Sequence, residues 1–402
     1  MAAFDRFKSF LTIISLCVFL GWSGIRLFAY FTHQEVPTFT VREIEEQGTY
    51  GKQLAGHINA LSSYKIGNIV ITLDGQPLIE EWVKAKEFDI PVTIDTTKFP
   101  DGEHTLVVTA CDTSYHQNKT VQTFHIIVDN APLHTAFIEQ DHTVYQGKTL
   151  HLKVATNKKE VRGTVTLGGN KYTFTPTTDG STTVECFIPI DCEENPTEHM
   201  LSAEMEDLAK NKQKLSCHVT IKAFEFTKQK GFVVPDEKVE QERQAGASMQ
   251  ILGNALQEAL AKSPAKKMWN GAFIYPIDVQ RMSTPFGEQR VNQVSGRYMH
   301  KGVDLVNRPR SLIWAAQHGT VIIKERFFTT GNTVVLDHGL GVFTLYGHLD
   351  SFADIEVGQT IKKGAPLGKL GMTGYANGYH LHWELRINRV AVDPLEWLTK
   401  IY

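Results

Sequence analysis

Cysteine is scarce in this chain, with five in 402 residues and no Cys-x-x-Cys pair. That argues against a disulfide-scaffolded fold and against a thiolate zinc site. A dominant charge is also missing: 41 Lys and Arg against 44 Asp and Glu leave a formal net charge of -3, without the basic excess of a nucleic-acid binder. Only one long apolar run occurs, at the N-terminus. The rest is ordinary, with 42% hydrophobic and 21% charged residues, so the chain is neither disordered nor fibrous. Its length exceeds one ordinary domain and suggests roughly two to four. What the sequence does hold in excess is histidine, 16 in all.

The apolar run, FLTIISLCVFLGWSGI from Phe10 to Ile25, has sixteen residues without a charge. A spanning helix needs about 20. Adding LFAYF after Arg26 supplies enough, with that arginine snorkelling toward a headgroup. Arg6 and Lys8 precede the run while His33 and Glu35 follow it, which keeps the N-terminus cytoplasmic and sends the remaining chain across a cytoplasmic (inner) membrane, to the periplasm or cell-wall side. The alternative is a cleaved signal peptide, for which Gly21 and Ser23 form a poor cleavage site. Cys17, preceded by Leu16 inside the run, is not a convincing lipidation site. Exported cysteines can pair, and among Cys111, Cys186, Cys192 and Cys217 a Cys186–Cys217 bridge is conceivable.

From about residue 37 to 225 apolar and polar positions alternate in short runs. Asn68 to Ile79, NIVITLDGQPLI, is two strand-like runs around Asp74-Gly75, a hairpin signal. EHTLVVTACD (Glu103 to Asp112) is echoed by EHMLSAEMED (Glu198 to Asp207), each followed by Asn-Lys and a further strand. A separation of roughly 95 residues is about one sandwich domain, and the layout resembles tandem immunoglobulin-like modules, at 37–130 and 131–228. The histidines here (His57, His104, His116, His125, His134, His142, His151) are scattered and read as structural. The modules read as spacers or surfaces for a protein partner. Residues 229–268 form a helical linker: from Pro235 to Ser263, Val239, Met249, Leu252, Leu256 and Leu260 recur at helical spacing, with Asp236 placed to cap the start. Its default role is to pack one face on a neighbour; a regulatory role over an active site is the alternative.

In residues 269–402 four segments carry candidate chemistry: HKGVD (His300 to Asp304), LDHG (Leu336 to Gly339), LYGHL (Leu345 to Leu349) and HLHWE (His380 to Glu384). On a strand His380 and His382 project to one face, with Leu381 and Trp383 on the other. Alone this is weak, since composition predicts roughly half an HxH by chance. With His300 and Asp304, however, the segments offer two nitrogens and one oxygen, the donor type of a catalytic zinc site with one position open. Zinc lowers the pKa of water it binds toward about 7 and polarises a carbonyl. Proton transfer would fall to His348 and to whichever of His380 and His382 is not a ligand. His338 reads as structural. Glu384 is either a partner orienting an imidazole or an outward-facing residue. Gly302 and Gly347 suit close backbone approach.

The stretch from about Ile274 to Leu398 resembles the lysostaphin/LytM-type zinc metallopeptidases that cut peptidoglycan peptides. The matching text is STPFG (Ser283 to Gly287), HKGVDL, AAQHGTV (Ala315 to Val321), GNTVVLDHGLGVFTLYGHL (Gly331 to Leu349), VGQTIKKGAPLGKLGMTG (Val357 to Gly374) and HLHWEL ending in VDPLEWL. The resemblance covers about a third of the chain. It implies an antiparallel β domain with Zn2+ in a groove, His300, Asp304 and His382 as ligands, and His348 and His380 as catalytic residues. Asn377 and Tyr379 stand where that family more often has Thr or Ser and Pro, which bears on groove shape. The expectation is therefore a mainly β protein: an N-terminal transmembrane helix within residues 1–36, two immunoglobulin-like β-sandwich modules, a helical linker, and a C-terminal metallopeptidase domain. Its expected function is membrane-anchored hydrolysis of peptidoglycan cross-link peptides. The alternatives are a non-catalytic module of the same fold that binds or activates a hydrolase, and a structural envelope protein. Latency, with the linker helix blocking the groove, is a further expectation to test.

Overall fold

A computed structural model of the chain describes residues 2–229 and 236–402. Met1 and residues 230–235, which include the expected start of the helical pattern at Pro235, lie outside the described residues. The chain is mainly β and divides into two compact units, one running through Pro132 together with Asp207–Asn211, the other comprising Leu133–Glu206 and Lys212–Tyr402.

Helix α1 spans Ala2–Thr32. Its Ile14–Thr32 segment is long and apolar enough to cross a membrane. At about 1.5 Å per residue those 19 residues nearly match a hydrocarbon core. Phe19, Ile25 and Phe28 are exposed. The Arg26 guanidinium lies 3.7 Å from the Trp22 ring centroid, so an aromatic face covers the charge that interrupts the run.

The echoed sequence corresponds to a repeated topology. In the first unit one sheet joins Thr38–Arg42, Gln53–Leu61 and Glu87–Asp95; the other runs Thr49–Tyr50, Lys119–Val128, Gly102–Asp112, Ile66–Leu73, Gln76–Trp82. The second unit repeats this order. Thr135–Phe137, Thr149–Thr156 and Thr183–Pro189 form one half; Asp141–Tyr145, Lys212–Lys222, Glu198–Glu206, Arg162–Leu167 and Asn170–Pro176 form the other. In both, the short leading strand of the five-strand group pairs parallel with the last strand, although in the second the two groups join into one eight-stranded sheet through Asn170–Pro176 and Thr183–Pro189. The echo strands occupy the same place in each. Period-two burial, as in Gln53–Leu61, turns alternate side chains into one core shared by both sheets. The cysteines are all free, which overturns the Cys186–Cys217 bridge; both are buried in the same apolar core.

The C-terminal region is built on a sheet ordered Arg281–Thr284, Val303–Val306, Leu381–Ile387, Val342–Phe352, Gly331–Asp337, Gly319–Phe327, Thr360–Ile361. Its two faces bury different partners. Val342, Tyr346, Leu381, Trp383 and Leu385 join the main core, which also takes in Phe187 and Cys192. On the other face Phe343, Leu345, Val335, Ile323 and Phe327 pack against Leu252 and Leu256 of helix α2, which spans Asp236–Leu260. The apolar stripe expected of the linker helix is thus its docking face. Leu252 and Leu256 are each 1% exposed. Leu256→Ala should lower unfolding stability by about 2–4 kcal/mol, read from denaturant midpoints; an unchanged midpoint would show that α2 is not docked.

Candidate active site

The face that α2 covers also carries the histidines. On Leu381–Ile387 the side chains of Leu381, Trp383, Leu385 and Ile387 are fully buried in the main core, so His382 and Glu384 face the opposite way. Asp304 lies directly across from His382 in the antiparallel register, and Gly347 lies across from His382 on the other side. His300 stands on the turn leading into Val303–Val306. Gly302 lets that turn approach: a Cβ there would fall 2.6 Å from the Trp383 carbonyl oxygen and 2.9 Å from His382 Cε1. Gly347 is less crowded, with the nearest atom at 3.2 Å.

Three donor atoms converge. His382 Nδ1 is 2.9 Å from Asp304 Oδ1 and 3.1 Å from His300 Nε2, and His300 Nε2 is 3.2 Å from Asp304 Oδ1. The outer ring nitrogens face acceptors: His382 Nε2 donates to Glu384 Oε1 at 2.8 Å and His300 Nδ1 to the Pro285 carbonyl at 3.2 Å. With protons on the outer nitrogens, the inner ones present lone pairs. Two lone pairs and a carboxylate aimed at one point repel one another unless a cation lies among them. Imidazole nitrogen with carboxylate oxygen is a donor set that suits zinc, so His300, Asp304 and His382 could hold a metal ion.

The electrostatics agree. Burial disfavours charge on Asp304, but the His300 and His382 rings against its Oδ1 override it and hold the carboxyl far below its usual range. Burial likewise works against an imidazolium at His382, yet Asp304 and Glu384 outweigh it and raise its pKa to about 9. Without metal, a proton therefore takes the cation's place near neutrality. Metal entry must expel that proton, so apparent zinc affinity should rise about tenfold per pH unit from pH 6 to 8 and level off above pH 9. Competition titration against a chromophoric chelator across that range checks this; a flat profile would contradict it.

His348 and His380 complete the cluster. Their ring centroids are 4.6 Å apart, and His380 Nε2 is 3.7 Å from Asp304 Oδ1. His348 has φ +63° within a strand, where the register slips between Asn332↔Leu349 and Val334↔Tyr346. This bulge re-aims the side chain into the site, at a cost of about 1–3 kcal/mol for a non-glycine residue. In both rings Nδ1 donates to a backbone carbonyl, Thr373 for His348 and Gly378 for His380, each at 2.8 Å. That fixes the tautomer and leaves Nε2 as the lone-pair nitrogen. Burial, aided by neighbouring imidazoles, pushes His348 down to about 3; burial also lowers His380. Both are neutral at pH 7 and able to accept a proton.

These side chains open into a cleft of about 590 Å³. One rim is Arg281, Ser283 and Arg290; another is Ala245, Gly246 and Met249 of α2. Helix α2 thus walls the cleft, held there by hydrogen bonds from Thr329 to Ser248 Oγ and to the Ala245 carbonyl at 3.2 and 2.7 Å, and leaves its volume open. Asn377 and Tyr379 line the same cleft. His338 lies outside it, fully buried between the His318 carbonyl and Thr344 Oγ1. Glu384 is not outward-facing: at 1% exposure it bonds His382 and, at 2.5 Å, Arg386 Nε. Sequence reasoning left Glu384 undecided and passed over Arg386. The alternation H-L-H-W-E-L-R places both on the histidine face.

Residues 298–394 match the profile of Peptidase family M23. The chain is 34% identical over 125 residues to the DD-carboxypeptidase/endopeptidase Mpg of Neisseria meningitidis serogroup B, covering 31% of this chain and 29% of that protein. It is 32% identical over 143 residues to the peptidoglycan DD-endopeptidase ShyC of Vibrio cholerae, covering 35% and 30%. The match thus spans about 30% of the length of these curated relatives. Among solved structures, a putative peptidase M23 from Pseudomonas aeruginosa aligns with a TM-score of 0.46 at 21% identity, over 63% of this chain and 94% of that one. The domain that carries the histidine cluster is a peptidase family M23 domain.

Proposed function

We propose that this chain is a membrane-anchored zinc endopeptidase that hydrolyses peptide bonds in peptidoglycan cross-links. The observation that carries the reading is the convergence of His300, Asp304 and His382 beside two neutral imidazoles in an open cleft. Relatives named as peptidoglycan DD-endopeptidases support the substrate class.

In this reading His300, Asp304 and His382 would hold the zinc. Zinc bound there supplies Lewis acidity, which activates water and polarises the scissile carbonyl. Glu384 fixes the His382 ring and tautomer, and Arg386 fixes Glu384. His348 and His380, both built as acceptors at Nε2, handle protons. Whichever imidazole takes the proton of the attacking water becomes the donor that returns it to the leaving amine. The Thr373 and Gly378 carbonyls stabilise the imidazolium as it forms.

Helix α1 anchors the chain with its N-terminus cytoplasmic and the bulk exported. The two sandwiches, 37–130 and 131–228, are immunoglobulin-like spacers that set the reach of the catalytic region at 269–402 and offer a surface to a protein partner; their matched strand order supports a common origin. Digestion of purified peptidoglycan by the full chain, with and without a chelator, followed by mass analysis of released fragments, tests the reading. Cross-link cleavage that stops with chelator is expected. A chain that releases nothing while enhancing another hydrolase would instead be the non-catalytic activator.

A further inference from the structure

Charge is distributed unevenly along the cleft. Its two acids are committed: Asp304 to His300 and His382, and Glu384 to His382 and Arg386. Its cations are Arg281, Arg290 and Lys301. Lys301 is paired with Asp191 at 3.3 Å and Glu193 at 3.7 Å. Arg290 is paired with Glu288 at 3.1 Å and donates to Thr284 Oγ1. Among the described residues, Arg281 alone of the three has no acidic partner.

Its placement is informative. Arg281 begins the edge strand Arg281–Thr284, which pairs antiparallel with the strand carrying Asp304. Thr284 lies opposite Asp304 and Arg281 opposite Val306. Val306 is two residues from Asp304 and so shares its face, about 7 Å along the strand. An extended peptide advances about 3.3–3.6 Å per residue. Arg281 therefore flanks the position of a substrate group one or two residues from the reacting carbonyl. The α2 rim of the cleft, Ala245, Gly246 and Met249, is uncharged, so the cleft distinguishes an anionic from an apolar flank.

Resting on the endopeptidase reading above, we propose that Arg281 is a specificity-determining residue that binds a free carboxylate of the substrate peptide next to the cleaved bond. A guanidinium matches a carboxylate bidentately. The enzyme accordingly prefers cross-link peptides bearing free carboxylates to neutral bridges.

The test compares a synthetic cross-linked peptide carrying a free carboxylate beside the scissile bond with its carboxamide, using the zinc-loaded full chain in detergent. The wild-type kcat/KM should favour the carboxylate form by about 10–100-fold. Arg281→Gln should lose that factor on the carboxylate form, chiefly in KM, and match wild type on the carboxamide; Arg281→Lys should recover part of it. Equal rates for the two peptides in the wild type, or an equal loss on both in Arg281→Gln, would overturn the proposal. If the wild type cleaves neither peptide, the endopeptidase reading fails separately. Binding of the two peptides to a His380→Ala chain then decides the arginine's role: preference for the carboxylate form supports it, and equal or absent binding removes it.

Discussion

His380→Ala should lower kcat on cross-linked wall peptides by about 10²–10⁴-fold, the range for losing a positioned acid–base group, while zinc content stays unchanged. The separation of the two readouts follows from geometry. His380 Nδ1 is occupied by the Gly378 carbonyl, and its Nε2 stands 3.7 Å from Asp304 Oδ1, beyond the 2.9–3.2 Å spacing within the His300, Asp304 and His382 set. It borders the group without joining it. His348→Ala should behave alike in rate and differ in stability. His348 holds a positive φ, and alanine would inherit that strain while losing the Thr373 hydrogen bond. Metal analysis beside steady-state kinetics distinguishes a proton-handling residue from a ligand; zinc lost together with activity in His380→Ala would make it a ligand.

Glu384→Ala should act on both metal binding and folding. Glu384 is 1% exposed and sits between His382 Nε2 and Arg386 Nε. Burial raises its pKa, but Arg386 and His382 outweigh that and hold it near 2, so it is ionised throughout the neutral range. Removing it leaves a largely buried guanidinium without a counter-ion, at a cost of about 3–5 kcal/mol. It also frees the His382 ring to rotate or change tautomer, which should weaken zinc binding by about 10–100-fold. Glu384→Gln keeps an acceptor for His382 and should fall between wild type and alanine in zinc affinity. Chemical denaturation of the metal-free chain isolates the folding effect. An alanine variant with unchanged stability and zinc affinity would show that the Glu384 contacts are incidental.

The parts of the site legible in sequence are those governed by strand periodicity. Because side chains alternate on a strand, H-L-H already divides into a core face, Leu381 and Trp383, and a site face. The same rule extends to Glu384 and Arg386. The linker stripe was legible for the same kind of reason: Leu252 and Leu256 recur at helical spacing and bury against the sheet face that holds the histidines, although their spacing did not reveal that this face also borders the cleft. The echo of Glu103–Asp112 in Glu198–Asp207 marked equivalent strands. What local pattern does not encode is tertiary register. The bulge at His348 depends on how Val342–Phe352 pairs with Gly331–Asp337. The tautomers of His348 and His380 depend on the Thr373 and Gly378 carbonyls, which belong to loops. The absence of a Cys186–Cys217 bridge depends on how two strands place their side chains within one core. Arg281 is prominent only once its edge strand is seen beside Asp304.

The most direct measurement is metal analysis of the purified full chain beside His300→Ala, Asp304→Ala and His382→Ala variants, with peptidoglycan hydrolysis assayed on the same samples. One zinc per wild-type chain, lost in each variant together with hydrolysis and restored to the wild type alone when zinc is returned after chelation, is the predicted result. Hydrolysis that survives complete removal of metal, or zinc retained by all three variants, would contradict the account.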